Sequence, residues 1–283
     1  MRPENTGSRL QNDCSLETRY SPISSGRTES YNSVSMITRS DDYVEYCRET
    51  AKRARDLHDL ALRGRDKRET TRRTHEKIVE IVGMGAADDL IDIGCGDGTL
   101  LRMAERAGAH SSIGLLATNE EVDLVRKTGV DVRQGLADRL PLPDQSASVV
   151  VCNNVLLIVP REKIPASLLE MHRIAKRGAR IFVGEIPFNK PNDPTPQFSS
   201  RSEYLSHLYR KHGFRTWFGM VRRIIWWRLT GQPEVIRPGT AVTFYATPDE
   251  FIALAKDAGL ETERWWRHDD PESRNNYLLR RPA

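Results

Sequence analysis

The hydrophobic period of this chain changes along its length. From Tyr43 to Val82 apolar residues recur three and four apart among charges of both signs, in "YVEYCRETAKRARDLHDLALRG" and then "KRETTRRTHEKIVEIVGMG". That spacing predicts two amphipathic helices, the second ended by Gly83 and Gly85. Beyond them come short strand-like runs: "LIDI" (90–93), "SSIGLL" (111–116), "VDVRQ" (130–134), "SVVVCN" (148–153) and "ARIFVGEI" (179–186). Helix-like stretches separate most of them: "GTLLRMAERAG", "NEEVDLVRKTG" and "PASLLEMHRIAKRG". Strands alternating with helices of this length predict βαβ units and a parallel sheet. Near the end, "TPDEFIALAKDAG" is a helix opened by Thr247 with Glu250 three residues on, a capping-box pattern. Two further strand candidates follow, "LETERWW" and "NYLLRR".

Residues 1–42 mix Ser, Thr, Asn, Arg and Glu with few apolar anchors. Such a segment cannot repay its ordering entropy and is expected to be a disordered tail. One domain is then expected over 43–283, with N-terminal helices at 43–82 and an insertion at about 187–246. At 283 residues the chain can bury a sizeable core, and a mean hydropathy of −0.56 describes a soluble protein. No window approaches the roughly 18 apolar residues of a membrane span, and the N-terminus lacks the apolar core of a secretory signal. The four cysteines, Cys14, Cys47, Cys95 and Cys152, have no CxxC spacing and no partner histidines. A disulfide framework or metal site is therefore not expected, and a reducing cytoplasm is.

The stretch "LIDIGCGDGTLL", Leu90 to Leu101, carries the chemistry. A strand that ends in glycines and leads into a helix is the usual ligand site of an open parallel sheet. Gly94, Gly96 and Gly98 let a ligand approach the backbone, and the helix start offers N–H donors. A phosphate-binding P-loop would need Gly-Lys-Ser/Thr, which is missing, and a GxGxxG loop would need glycine where Thr99 stands. Asp92 and Asp97 flank the turn, which suits a cationic ligand better than a pyrophosphate.

At this point the sequence resembles the class I methyltransferases dependent on S-adenosylmethionine (SAM). "LIDIGCGDG" is similar to their first motif and "DRLPLPDQSASVVVCNNVLLIVP" to the stretch leading through their fourth strand. "MHRIAKRGARIFVGE" resembles their next helix and fifth strand, and "YATPDEFIALAKDAGLE" a helix late in the fold. The resemblance implies a Rossmann-like, seven-stranded, mostly parallel sheet flanked by helices, here with N-terminal helices and an inserted helical cap. It also implies SAM as cofactor, held by Asp92, Gly94, Cys95, Gly96, Gly98, Leu116, Ala137, Asp138 and Asn153.

Three positions depart from the family pattern. Leu116 stands where an acid usually binds the ribose hydroxyls, Leu136 where an aspartate meets the adenine amino group, and Ser148 where an aspartate precedes the fourth strand. Glu120 or Glu121 is expected to reach back to the ribose, and Asp138 to serve the adenine. Glu185, ending the fifth strand, is the candidate base or substrate contact. Cys95 and Cys152 read as small packing residues, and His58 and His75 as surface side chains.

The insertion opens with "PFNKPNDPTPQFSS" and turns helical through "SEYLSHLYRKHGFRTWFGMVRRIIWWRLTG". Arg210, Lys211, Arg215, Arg222, Arg223 and Arg228 mingle there with Tyr209, Phe214, Trp217, Trp226 and Trp227. A phosphorylated or glycan acceptor, an anionic membrane met through 204–228, or single-stranded nucleic acid would fit. The expectation is a SAM-dependent methyltransferase with a small-molecule or glycan-type acceptor, with nucleic acid ranked behind. The alternatives are a catalytically weakened scaffold with this fold, and an RNA methyltransferase.

Overall fold

A computed structural model describes residues 42–54, 56–57, 68–187, 201–230, 244–267 and 274–283. Apart from Asp42, the tail expected at 1–42 lies outside the described residues, as do His58 and both ends of the insertion. Two helices come first, α1 (Asp42–Arg53) and α2 (Arg68–Ile81). The alternating core then runs β1 (Asp89–Ile93), α3 (Thr99–Arg106), β2 (Ser111–Leu116), α4 (Asn119–Arg126), β3 (Val132–Gln134), β4 (Ala147–Asn153), α5 (Ile164–Ile174) and β5 (Ala175–Pro187). After it come α6 (Arg201–Thr230), α7 (Pro248–Asp257), β6 (Glu261–Arg267) and β7 (Arg274–Arg280).

The seven strands form one sheet in the order β3-β2-β1-β4-β5-β7-β6. The first five pair in parallel, while β7 runs antiparallel to both β5 and β6. The chain winds outward from β1 to β3, then restarts beside β1 with β4. The crevice between the carboxyl ends of β1 and β4 is therefore the topological switch point, where open sheets of this kind bind ligands.

Strand periodicity divides the core between the two faces. In β4, Val149 and Val151 pack on one side, and Val150 and Cys152 on the other, all fully buried. In β1, Leu90 faces the first of these sides, and Ile91 and Ile93 the second. Both faces are covered, as a parallel sheet requires. By the same alternation Asp92 points with Leu90 toward the side packed against α2, α3 and α4. A carboxylate there is out of place unless it has a task.

Two differences from expectation have physical causes. β5 begins at Ala175, directly after α5, although "AKRG" has helical propensity. The Arg281 guanidinium donates to the carbonyl oxygens of His172 (3.1 Å) and Arg173 (3.5 Å), capping the helix end, and Ala175 pairs with Ala147. β3 is confined to Val132–Gln134, because only these residues pair with Gly114–Leu116 of β2.

Candidate active site

The turn after β1 is built by the backbone. The N–H groups of Gly94 and Cys95 both donate to the Leu115 carbonyl, at 2.8 and 3.2 Å, folding the loop over the end of β2. Gly94 has φ 75°, and a Cβ there would lie 2.3 Å from Cγ2 of Val155. The missing side chain leaves room there for the loop after β4. Asp97 Oδ1 accepts from the Thr99 N–H at 2.9 Å, and Arg102 donates to the Asp97 carbonyl at 3.1 Å. The loop acid is thereby fixed over the first turn of α3.

The electrostatics under this turn are unusual. Asp92 is 4% exposed. Burial, helped by the negative charge of Asp97, pushes its carboxyl up to about 7 from the ordinary 3.8. A buried acid beside a second acid resists ionisation until a cation arrives. Burial also raises the thiols of Cys95 and Cys152, Asp92 adding to the effect, so neither is a ready nucleophile. Both are packing residues; Sγ of Cys95 fills the space above Gly114, 2.5 Å from where a Cβ would stand.

His75 departs from its expected surface position. It sits on α2 with Nδ1 buried and without a hydrogen-bond partner. Burial lowers its imidazole from the ordinary value, against the opposing pull of Asp97. The signal was in the spacing: Thr71, Ile78 and Val82 are buried on the same helical stripe.

At the ribose position Leu116 is 4% exposed and packs with Cys95, Leu101 and Val122. Neither expected substitute acid is free to reach it. Glu121 closes a capping box: its Oε2 accepts from the Thr118 N–H (3.1 Å), and its own N–H donates to Thr118 Oγ1 (3.3 Å). Glu120 accepts from Nε of Arg48 at 3.0 Å, tying α1 to α4. The "TNEE" sequence held that cap in plain view. Ser148, the third departure, belongs to the fold: it donates to Asp88 (2.8 Å) and accepts from the Asp89 N–H (2.9 Å) at the start of β1.

The other expected substitute keeps one carboxylate oxygen unengaged. Asp138 stands 3.3 Å from Lys163 Nζ through Oδ2, while its Oδ1 is buried with no hydrogen-bond partner. Lys163 Nζ also lies 5.7 Å from the centre of the Tyr43 ring, which brings α1 to this corner. Ala137 is buried beside Asp138 in the chain.

At the ends of β4 and β5, Asn153 Oδ1 is buried and likewise unbonded, 2.3 Å from where a Cβ on Gly184 would stand. Asn154 (φ 59°) donates its N–H to the Gly184 carbonyl at 3.1 Å. Glu185 takes φ 66°, a left-handed geometry uncommon outside glycine. Its N–H donates to Asn276 Oδ1 at 3.1 Å, and Arg274 Nε lies 3.7 Å from its carboxylate. β7 thus supplies two side chains here that the sequence pattern did not single out.

These residues fit SAM. Asp92 and Asp97 gather negative charge under the turn, and polar atoms of His75, Asp138 and Asn153 are buried there without a hydrogen-bond partner. Among the described residues no group of three or more His, Cys, Asp or Glu could hold a metal ion, and no helix is long and apolar enough to cross a membrane.

Comparisons with known proteins agree with this geometry. Residues 91–183 match a family described as a methyltransferase domain. A malonyl-acyl-carrier protein O-methyltransferase from Serratia marcescens is 30% identical over 105 residues, which cover 36% of this chain and 40% of that relative. Among solved structures, magnesium protoporphyrin IX methyltransferase from Synechocystis, with bound S-adenosylhomocysteine (SAH), superposes with a TM-score of 0.57 at 15% identity, covering 85% of this chain and 100% of that one. The 4+2 cyclase SpnF does so at 0.53 and 14%, covering 87% and 95%.

Proposed function

We propose that the chain is a SAM-dependent methyltransferase of the class I fold, transferring a methyl group to a small-molecule or glycan-type acceptor. The observation that supports this best is the buried, hard-to-ionise Asp92 beside Asp97 under a glycine turn at the switch point. A site that withholds ionisation until a positive ligand enters suits the ammonium and sulfonium of SAM. Asp92, Asp97 and His75 hold that charged end. Gly94, Cys95, Gly96 and Gly98 form the turn it lies against, Leu116 lies under the ribose, Ala137 and Asp138 take the adenine, and Asn153 faces the methionyl part.

SAM bound here would supply an electrophilic methyl carbon: an acceptor lone pair would bond to it as the carbon–sulfur bond breaks and SAH leaves. Alignment of the acceptor does most of the work in such a reaction. A base helps only when the acceptor starts protonated, and Glu185, near the end of β5, would take that proton. Arg274 holds its carboxylate, so Glu185 serves equally to anchor an acceptor hydroxyl. The name of the Serratia relative is consistent with an oxygen acceptor, although the match spans less than half of that protein.

A second reading is a fold that binds ligand without methyl transfer. It is favoured by one observation: Leu116 is at the ribose position while Glu120 and Glu121 are both engaged elsewhere. The cyclase among the similar structures shows that the fold alone does not fix the reaction. Calorimetric titration with SAH distinguishes the two. Micromolar affinity supports the enzyme, and no heat at millimolar ligand overturns it.

A further inference from the structure

Among the described elements, helix α6 is the most basic and exposes the most large apolar side chains. Between Arg201 and Thr230 it holds seven Arg or Lys and a single acid, Glu203. Gly213 breaks it with φ 79°, so that residues 214–230 form a helix of their own, about 25 Å long at 1.5 Å per residue. Along this half Phe214 (60% exposed), Phe218 (53%), Ile225 (52%) and Leu229 (79%) stand in the open. Steps of four, seven and four place them on one narrow stripe. The Phe214 and Phe218 rings stack with centroids 5.7 Å apart, and Trp217 closes on Phe214 at 5.8 Å. An exposed contiguous apolar strip of this kind marks an interaction surface.

The charges say what covers it. By helical spacing Arg215 and Arg222 border the stripe on one side, and Arg228 borders it on the other. Basic margins around an apolar strip match a helix lying in the headgroup layer, its apolar residues among acyl chains and its guanidiniums at phosphate depth. A protein partner would have to supply acids along both margins. Single-stranded nucleic acid would use π faces for stacking, which Ile225 and Leu229 lack.

We propose that residues 214–230 are a monotopic anchor that seats the protein on an anionic membrane surface. The proposal does not rest on the transfer reaction, and its test is separate from cofactor binding.

The full chain is floated with vesicles of phosphatidylcholine alone or mixed with phosphatidylglycerol, at low and high salt. It should float with the anionic vesicles only, and less so at high salt. Arg215→Gln, Arg222→Gln and Arg228→Gln together should weaken binding on the order of 100-fold, about fivefold per charge. Phe218→Ser with Ile225→Ser should also abolish flotation, while SAH affinity and thermal midpoint stay unchanged in both variants. The proposal is overturned if the protein does not float, or if the Phe218/Ile225 pair leaves flotation intact. It is equally overturned if that pair turns a dimer into a monomer, which makes a second copy the occupant. Single-stranded RNA bound more tightly than vesicles, and lost with the arginines, would overturn it in favour of nucleic acid.

Discussion

Replacing Asp92 by asparagine isolates the cost of keeping an acid under the glycine turn. The carboxyl is shifted from 3.8 to about 7 by burial and by Asp97. Below pH about 4 it is protonated in folded and unfolded chains alike and costs nothing. Between about 4 and 7 the unfolded chain ionises while the folded one keeps its proton, so stability falls as pH rises. Above 7 the whole cost is present, at most roughly 4 kcal/mol for a shift of this size. Asparagine keeps the shape of the neutral acid and never charges. Asp92→Asn should therefore leave the thermal midpoint nearly unchanged at pH 4 and raise it at pH 8, by up to on the order of 10 °C for a chain of this length. Cofactor binding should move oppositely. Wild-type affinity for SAM should climb through pH 7 as the acid ionises against the incoming cation, whereas the variant should bind weakly and without that slope. Thermal scans and calorimetry across this range check both halves. Equal destabilisation at pH 4 and pH 8 would refute the reasoning, because it would make Asp92 a structural hydrogen-bonding group rather than a strained charge.

Other expectations are simpler. Gly94→Ala should destabilise by about 1–3 kcal/mol, since the new methyl meets Val155; urea melts should show partial rescue by Val155→Ala. Thr118→Val removes the cap of α4 and should cost roughly 1 kcal/mol in the same assay, with SAH affinity unchanged. Leu116→Asp should lower the stability of the free protein but tighten SAH binding by calorimetry, and a loss of affinity in folded protein would place the ribose elsewhere. His75→Ala should weaken SAM binding about fivefold, one ordinary hydrogen bond, with an unaltered circular dichroism spectrum.

How far the sequence could be read depended on whether a feature was local. The central parallel strands were legible because burial on both faces makes them largely apolar, as Val149–Cys152 is. The capping box at Thr247 was legible because both partners lie within four residues, and the hydrogen bonds are present at 2.8 and 3.3 Å. The matching box at Thr118 is equally local, and it occupies one of the two acids, Glu120 or Glu121, expected to reach the ribose. What pattern reading could not supply were contacts between distant segments. Arg48 finds Glu120 across 72 residues. Arg281 ends α5 from the far end of the described chain, and Asn276 and Arg274 converge on Glu185 from β7. At the candidate site the glycine turn is plain in the sequence, whereas the burial of His75 Nδ1 follows from the stripe it shares with Thr71, Ile78 and Val82 and not from its charged neighbours.

The strand order has a consequence for synthesis on the ribosome. β7 lies between β5 and β6, yet it is translated after both, with the insertion and α7 emerging in between. Until it arrives, β5 offers an unpaired edge bearing Ile181, Phe182 and Val183, and β6 has no sheet to join. An open, apolar strand edge is the surface through which nascent chains pair wrongly with one another. Slow passage through the insertion lengthens that exposure. Yield of soluble protein is then governed by how quickly the last strand is delivered, and chaperones that shield β-edges gain most leverage in that interval.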